Sequence, residues 1–131
     1  MSADRVKMWI AEYDRALARL QEAANADPAE NDVVVDGTIQ RFEFTFELAW
    51  KLMKAALEHQ GIVVQSPRAA IKEAFKVGLI ADGDGWIDML EDRNRTTHLY
   101  DEEQCRQVYG KIKERHIGLM ESLGREVGKT E

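Results

Sequence analysis

The stretch QRFEFTFELAWKLMKAAL, residues 40–57, decides the fold of this chain. Polar side chains recur along it and beyond its end at helical spacing, in one narrow stripe of Gln40, Glu43, Glu47, Lys51, Lys54 and Glu58. The apolar positions that fill most of the remaining circumference are Phe42, Phe44, Phe46, Leu48, Ala49, Trp50, Leu52, Met53, Ala56 and Leu57. A helix so apolar is buried on more than one side. We therefore expect a central helix from about residue 31 to residue 60.

Two arrangements would bury such a helix. In a domain this small, one side would face the core of a bundle and another side could face a second subunit. The alternative is the central helix of a monomer, surrounded by the rest of its own chain. The sequence leaves both open, and we expect a homodimer.

Further helical patterns lie on both sides of this stretch. Apolar positions at steps of three and four predict a first helix that ends before residue 28, with Val6, Ile10, Tyr13, Leu17, Leu20 and Ala24 on one face. Ser66 followed by Pro67 predicts the start of a short third helix, which Gly78 can close. Asp82 or Asp84 can cap a fourth helix.

The last helix is predicted from Asp101, whose spacing to Gln104 resembles a capping box. Its apolar face consists of Cys105, Val108, Ile112, Leu119 and Leu123. The tail at 124–131 is expected to fray. The β-branched stretches DVVVDG at 32–37 and GIVVQS at 61–66 do not alternate with polar positions, so we interpret them as a helix start and a linker.

Together these patterns predict an all-α fold, an antiparallel four-helix bundle with one additional short helix, in a single domain over residues 1–131. A chain of 131 residues with 32% charged and 44% hydrophobic positions can bury one compact core. The formal net charge of −6 disfavours proteins that bind nucleic acid through a broad basic surface, since such binding needs many phosphate contacts. Any contact with nucleic acid must therefore be local.

The single cysteine and the absence of long apolar runs bear on the compartment. Cys105 cannot form an internal disulfide, and the sequence shows neither a leader pattern nor a run of about 18 apolar residues. We expect a cytoplasmic protein with no membrane contact. Cys105 lacks a neighbouring base, so a buried thiol is favoured over a nucleophile.

A basic cluster interrupts this acidic chain at RNRTTHLYDEE, residues 93–103. On an unbroken helix Arg93 and His98 would lie about 140° apart, and a break between Arg95 and Tyr100 would let His98 turn toward Arg93. Imidazole transfers protons near neutral pH and a guanidinium holds phosphate oxygens, a pair suited to cleavage of a phosphodiester. The alternative is a solvated helix end, where basic side chains meet the helix dipole favourably.

The other histidines and carboxylates receive structural interpretations. His116 falls on the apolar stripe of the last helix and is predicted to be a hydrogen-bonded core residue, and His59 lies at a helix C-terminus, where a cation is favourable. Glu91 and Asp92 beside His98 make only a weak metal site, because a second histidine at helical spacing is missing. We therefore predict no metal.

The basic cluster also resembles a known family. RNRTTHLY matches the pattern of HEPN-domain proteins: arginine, a polar residue, three variable positions, histidine, any residue and tyrosine. The resemblance extends through QRFEFTFELAWKLMKAAL, SPRAAIKEAFKVGLI and WIDMLEDRN, from about residue 39 to the last helix. The chain thus resembles the HepT-like branch, often called nucleotidyltransferase substrate-binding proteins.

This resemblance implies an all-α bundle that dimerises and is encoded beside a minimal nucleotidyltransferase. In several members the two proteins form a toxin–antitoxin pair, and the HEPN protein is a metal-independent ribonuclease. By position, Arg93 and His98 would be the catalytic pair and Asn94 would support them. Tyr100 would be the hydroxyl that the partner modifies with AMP, using ATP as donor, and the chain would need no cofactor of its own.

Two functions stay open at this stage. The first is a ribonuclease toxin that contacts RNA through a small basic patch of Arg93, Arg95 and Arg106, and the complete arginine–histidine–tyrosine set favours it. The second is a non-catalytic substrate-binding subunit of a nucleotidyltransferase complex, which the net acidity favours. The first predicts RNA cleavage that EDTA does not abolish, and the second predicts a tight complex without cleavage.

Overall fold

Five α-helices build the fold, in a computed structural model that describes residues 2–28, 32–99 and 101–129. The helices are α1 (Ser2–Ala24), α2 (Asp32–His59), α3 (Pro67–Lys76), α4 (Gly83–Arg95) and α5, in which a π-helical turn (Ile112–His116) joins Glu102–Lys111 to Ile117–Lys129. A 3₁₀ turn, Thr96–His98, follows α4. The described residues contain no β-strand, so the predicted all-α bundle with one additional short helix is confirmed.

The central helix is α2, which packs against α1, α3, α4 and α5. Phe42, Phe46 and Leu52 are fully buried along it, and the Phe46 ring lies 6.3 Å from the ring of Trp86 on α4. Two apolar residues of this helix are exposed, Val33 near its start (72%) and Phe44 (60%). The other helices of the same chain therefore cover most of the apolar surface of α2, and Phe44 stays outside the core.

Side-chain caps set the starts of α3 and α4. Ser66 Oγ accepts a hydrogen bond from Ala69 N at 3.2 Å, and a proline follows it in the first turn of α3, as predicted. Asp82, and not Asp84, caps α4: its Oδ1 accepts a hydrogen bond from Gly85 N at 2.9 Å. These local bonds satisfy amide groups that a helix start otherwise leaves unpaired.

The last helix, α5, begins where the sequence predicts. Asp101 Oδ1 accepts a hydrogen bond from Gln104 N at 2.7 Å. The π turn further along makes a wider turn than an α-helix, and this shifts the buried face behind it. Met120 is therefore fully buried, whereas Leu119, which the apolar pattern placed in the core, is only partly buried.

The prediction of a frayed tail at 124–131 is wrong for its described part. The helix continues to residue 129, and Val127 is fully buried. Tyr13 of α1 holds α5 in place, since its hydroxyl donates a hydrogen bond to Met120 O at 2.6 Å. Burial raises the pKa of Tyr13 well above its usual value, so this hydroxyl stays a donor.

One buried hydrophobic cluster draws residues from all five helices. Within the described ranges, none of the helices combines the length and the apolar content needed to cross a membrane. The bundle leaves the C-terminal end of α4 and the 3₁₀ turn at its surface, and the predicted basic cluster lies there.

Candidate functional site

Arg93 lies in the last turn of α4, with 23% of its side chain exposed. Its guanidinium faces α2: Nη1 is 3.5 Å from Glu43 Oε2, and Nη2 is 3.9 Å from Glu47 Oε1. Thr96 Oγ1 donates a hydrogen bond to Arg93 O at 2.7 Å and accepts one from Nη1 at 3.4 Å. Arg93 Nε is buried without a hydrogen-bond partner among the described residues. Two carboxylates thus hold this arginine against the central helix.

His98 ends the 3₁₀ turn and is exposed. The chain becomes extended at Leu99 (φ −88°, ψ 110°), so the predicted break does occur in this interval, just after the histidine. Adding α-helical and 3₁₀ steps from Arg93 to His98 gives a rotation of about 180° around the axis. Where the structure describes the chain, no hydrogen bond or ion pair joins these two side chains. The predicted turn of His98 toward the Arg93 of its own chain is therefore not seen.

Two other predicted site residues are placed less fully. Asn94 is exposed, and its backbone carbonyl accepts a hydrogen bond from Thr97 Oγ1 at 3.2 Å, which stabilises the turn. Tyr100, the predicted site of modification, lies outside the described residues. The support of Arg93 and His98 by the Asn94 side chain stays a prediction.

The two other arginines of the predicted basic patch differ in exposure and in how many carboxylates they contact. Arg95 is 53% exposed beside the site, with its Nε 4.0 Å from Asp92 Oδ1. Arg106 on α5 is held by carboxylates instead, 3.5 Å from Asp32 Oδ1 and 3.3 Å from Glu102 Oε1. Arg95 is thus the more accessible of the two for a phosphate.

A partly buried ionic network begins at the residue before Arg93. The preceding residue, Asp92, places Oδ2 2.7 Å from His116 Nε2 and 2.8 Å from Lys111 Nζ. Lys111 Nζ is also 2.8 Å from Asp88 Oδ2. His116 is fully buried on the apolar face of α5, so its prediction as a hydrogen-bonded core residue is confirmed.

Hydrogen bonds lower the pKa values of both carboxylates in this network and so favour their charged forms. Burial alone would raise the pKa of Asp92, but hydrogen bonds from His116 and Lys111 outweigh burial and hold the pKa below its usual value. A hydrogen bond from Lys111 is the main cause that lowers the pKa of Asp88. His116 Nδ1 has no hydrogen-bond partner among the described residues, and we therefore assign the tautomer that carries its proton on Nε2.

The same network has the ligand types of a metal site. Asp88, Asp92 and His116 each place one ligand atom within 4.8 Å of the others. The Lys111 ammonium lies 2.8 Å from both carboxylates, so a side chain already supplies the cation at this position. Asp92 faces into the bundle, whereas His98 is exposed, and the weak metal site considered from the sequence therefore does not assemble here.

Cys105 lies half-buried on α5. Burial is the main cause that raises the pKa of its thiol, and the nearby carboxylates of Asp36 and Asp101 add to it. A raised pKa disfavours the reactive thiolate. The thiol thus fits the structural role predicted for it better than that of a nucleophile.

The sequence did not assign Glu43 and Glu47 to the site. Their four-residue spacing on the polar stripe is visible, but such a stripe also fits a solvated face of a helix. Only the packing of α4 on α2 shows that Arg93 reaches them. Chemically, the helix end offers an exposed imidazole for proton transfer, and a guanidinium that binds a phosphate if these carboxylates give way.

Comparison with known proteins places the chain in a family. The model of the family described as nucleotidyltransferase substrate binding protein like matches residues 9–129. A Haemophilus influenzae protein named "Probable ribonuclease HepT" is 37% identical over 86 residues, a match that covers 62% of this chain. The match spans 59% of that relative's own length.

Solved structures share the fold over nearly the whole chain. A Haemophilus influenzae structure, described as the fold of a substrate binding domain of a nucleotidyltransferase, has a TM-score of 0.80 and 26% identity, covering 91% of this chain and 98% of that one. A structure of a mutant MntA–HepT toxin–antitoxin complex has a TM-score of 0.79 and 20% identity, covering 98% of this chain and 99% of that one. This protein therefore belongs to the nucleotidyltransferase substrate-binding-protein-like family, and the HepT-like membership predicted from its sequence is confirmed.

Proposed function

We propose that this protein is the toxin of a toxin–antitoxin pair, a metal-independent endoribonuclease that a minimal nucleotidyltransferase restrains. The observation that carries the proposal is the presence, at one helix end, of a guanidinium held by α2 and an imidazole exposed to solvent. The relative named as a ribonuclease supports this activity. The toxin–antitoxin complex shares the fold.

The proposed reaction uses the 2′-hydroxyl of the RNA itself. His98 accepts the proton of this hydroxyl while its oxygen forms a bond to the adjacent phosphorus. Arg93 stabilises the negative charge that develops on the phosphoryl oxygens. The bond from phosphorus to the 5′-oxygen breaks, and that oxygen takes a proton from a second His98 or from water. The products are a 2′,3′-cyclic phosphate and a 5′-hydroxyl.

A two-fold dimer would supply both the base and the acid. The cluster of one chain contains one histidine, and about 180° of helical rotation separates it from its own Arg93. In a symmetric dimer, His98 of one protomer can lie opposite Arg93 of its partner. Phe44, exposed on the same helix as Glu43 and Glu47, is an apolar side chain that such a contact would cover.

Tyr100 is the proposed point of control, and it follows His98 by two residues in the sequence. The partner would transfer AMP from ATP to the tyrosine hydroxyl and release pyrophosphate. The attached phosphate adds negative charge and bulk beside His98, where an RNA phosphate must approach. We expect a Tyr100→Phe chain to keep its activity in the presence of partner and ATP, and its full inhibition under those conditions would contradict this mode of control.

A second candidate function is a non-catalytic substrate-binding subunit of a nucleotidyltransferase complex. The carboxylates of Glu43 and Glu47 already neutralise Arg93, an arrangement that competes with a phosphate ligand. The Haemophilus influenzae structure described as a substrate-binding domain supports this function as well. It predicts a tight complex with a nucleotidyltransferase and no cleavage by the unmodified chain.

The deciding experiment combines intact mass with RNA cleavage. The wild-type chain is expressed without a partner, its mass shows that no AMP is attached, and it is incubated with varied RNAs in the presence of EDTA. His98→Ala is the matched control, because His98 is exposed and its loss leaves the core intact. Circular dichroism confirms that both chains are folded.

The proposed ribonuclease predicts that wild type cuts RNA in EDTA, leaves 2′,3′-cyclic phosphate ends, and that His98→Ala does not cut. Unmodified wild type as inert as His98→Ala on all RNAs would overturn the proposal in favour of the binding subunit. Cleavage that EDTA abolishes would overturn its metal-independent chemistry.

A further inference from the structure

A groove between α1 and α2 combines aromatic and basic side chains. It has a volume of about 280 Å³, and its lining includes Trp9, Trp50, Lys51, Lys54 and Arg5. Two half-buried tryptophans thus present aromatic surface beside three cations. The chain as a whole carries a formal charge of −6, whereas the charged side chains of this groove are mainly positive.

The lysines of this groove are available to an outside anion. Arg5 is ion-paired with Glu58, the carboxylate that lines the groove, at 3.4 Å. Among the described residues, neither Lys51 nor Lys54 has a carboxylate within ion-pair distance. Lys51 Nζ lies 5.9 Å from the centroid of the Trp9 ring instead, a cation–π contact that holds the ammonium over the aromatic surface.

Two side-chain contacts connect the groove with the candidate active site. Trp50 Nε1 donates a hydrogen bond to Glu47 Oε2 at 3.2 Å, and the other oxygen of Glu47 lies 3.9 Å from Arg93 Nη2. Glu47, Lys51 and Lys54 occupy one stripe of α2, and the rise from Glu47 to Lys54 is about 10 Å along the helix axis. An RNA strand bound at Arg93 can therefore extend along this stripe into the groove.

We infer that this groove binds a single-stranded segment of the RNA substrate beside the cleavage site. A phosphate draws the Lys51 ammonium away from the Trp9 ring, the bases stack on Trp9 and Trp50, and the phosphates lie near Lys51 and Lys54. Proteins that bind single-stranded nucleic acid without sequence preference combine aromatic surfaces and cations in this way. The inference rests on the proposed ribonuclease function, because it names how that enzyme holds its substrate.

The charge of the groove favours RNA over the alternative occupant, a second copy of this chain. A symmetric contact whose two-fold axis passes through this groove would bring Lys51 and Lys54 of one protomer against the same lysines of its partner. Like charges brought together across an interface are unfavourable. A polyanion with flat bases instead matches both the charges and the aromatic surface of the groove.

The test measures binding apart from cleavage. A His98→Ala chain is titrated with a short, labelled single-stranded RNA at several salt concentrations, with and without Lys51→Gln/Lys54→Gln. The slope of log binding constant against log salt is negative, and loss of two phosphate contacts should reduce its magnitude by about 1.4. The matched control is Lys72→Gln/Lys76→Gln on α3, which should leave the slope unchanged.

Tryptophan supplies a second readout. Trp86 is 1% exposed, so quenching of fluorescence by added RNA would report on Trp9 and Trp50. Trp9→Leu keeps apolar packing and removes the stacking surface, and it should weaken RNA binding roughly five- to a hundredfold. Thermal unfolding of each variant shows that the fold is kept.

The outcomes separate the groove from the active site. If wild type cleaves RNA but Lys51→Gln/Lys54→Gln binds with unchanged affinity and salt slope, the groove assignment is overturned while the ribonuclease stands. If wild type does not cleave but the salt slope still depends on these lysines, RNA binding in the groove is supported and the proposed ribonuclease function is overturned. If the lysine substitutions change only the monomer–dimer equilibrium in sedimentation, the groove contacts a second copy, and the inference is overturned.

Discussion

Asp92 and His116 meet inside the bundle, with Asp92 Oδ2 2.7 Å from His116 Nε2, one residue before the arginine of the candidate site. Asp92 lies on α4 and His116 ends the π turn of α5. Turns of π-helix recur at functional sites, and here the turn aims a buried side chain at α4. The contact therefore links the position of Arg93 to the packing of the last helix.

Asp92→Asn should lower the free energy of unfolding at pH 7 by about 1.5–3 kcal/mol, the contribution of hydrogen bonds to a charged group. The pKa of Asp92 lies lower in the folded than in the unfolded chain. Its stabilisation is thus complete above the unfolded value of about 3.9 and is lost as the pH falls through the folded value. Denaturant unfolding between neutral and acidic pH measures both effects.

In that experiment Asp14→Asn is the control, because Asp14 is an exposed carboxylate on α1. The loss of stability in acid should be shallower for Asp92→Asn than for wild type, and unchanged in the control. Equal acid dependence of wild type and Asp92→Asn would mean that Asp92 is not a stabilising carboxylate.

Local signals made the helices predictable. Ser66, Asp82 and Asp101 each accept a hydrogen bond from the amide three residues ahead, which is a local signal, although the choice between Asp82 and Asp84 needed the structure. The apolar spacing of α1 and α2 is a local signal as well. The breadth of the family resemblance, from the central helix to the last, also identified Arg93 and His98 as a candidate pair.

Contacts between distant helices were not predictable from the sequence. Whether Glu43 meets Arg93, 50 residues later, depends on how α4 is rotated about its axis when it packs on α2. The π turn likewise exchanged Leu119 for Met120 in the core, because a wider turn shifts every following side chain. A prediction that assumes a regular α-helical repeat therefore cannot include this shift.

Glu43→Gln/Glu47→Gln should strengthen RNA binding by about two- to fivefold, because it removes two weak, partly exposed ion pairs that compete with phosphate for Arg93. The measurement is the dissociation constant for a short RNA in a His98→Ala background, which excludes cleavage. The control is Glu73→Gln on α3, which removes a carboxylate that lies outside the site. The Glu73 carboxylate pairs with Lys76 at 3.5 Å. Weaker binding by the double variant would show that the carboxylates act mainly by positioning Arg93.

Cys105 should react slowly with iodoacetamide at neutral pH. Its pKa is raised, so the thiolate fraction at any given pH is smaller than for a free cysteine, and the rate should keep rising above the usual pKa of about 8.5. Alkylation followed by mass spectrometry across pH gives this profile. Cys105→Ala should cleave RNA at the wild-type rate, and a large loss of cleavage by this folded variant would contradict a structural role for the thiol.

Heterodimers of Arg93→Ala and His98→Ala chains should recover RNA cleavage that each variant alone lacks. The two side chains leave their own helical segment on opposite sides, about 180° apart, so a productive pair requires one residue from each protomer. In the mixed dimer, one of the two sites keeps an intact arginine and an intact histidine. Different affinity tags on the two chains allow the mixed dimer to be isolated and its composition confirmed before the assay. A purified mixed dimer that is folded and inactive, beside an active wild-type dimer, would show that Arg93 and His98 of the same protomer act together.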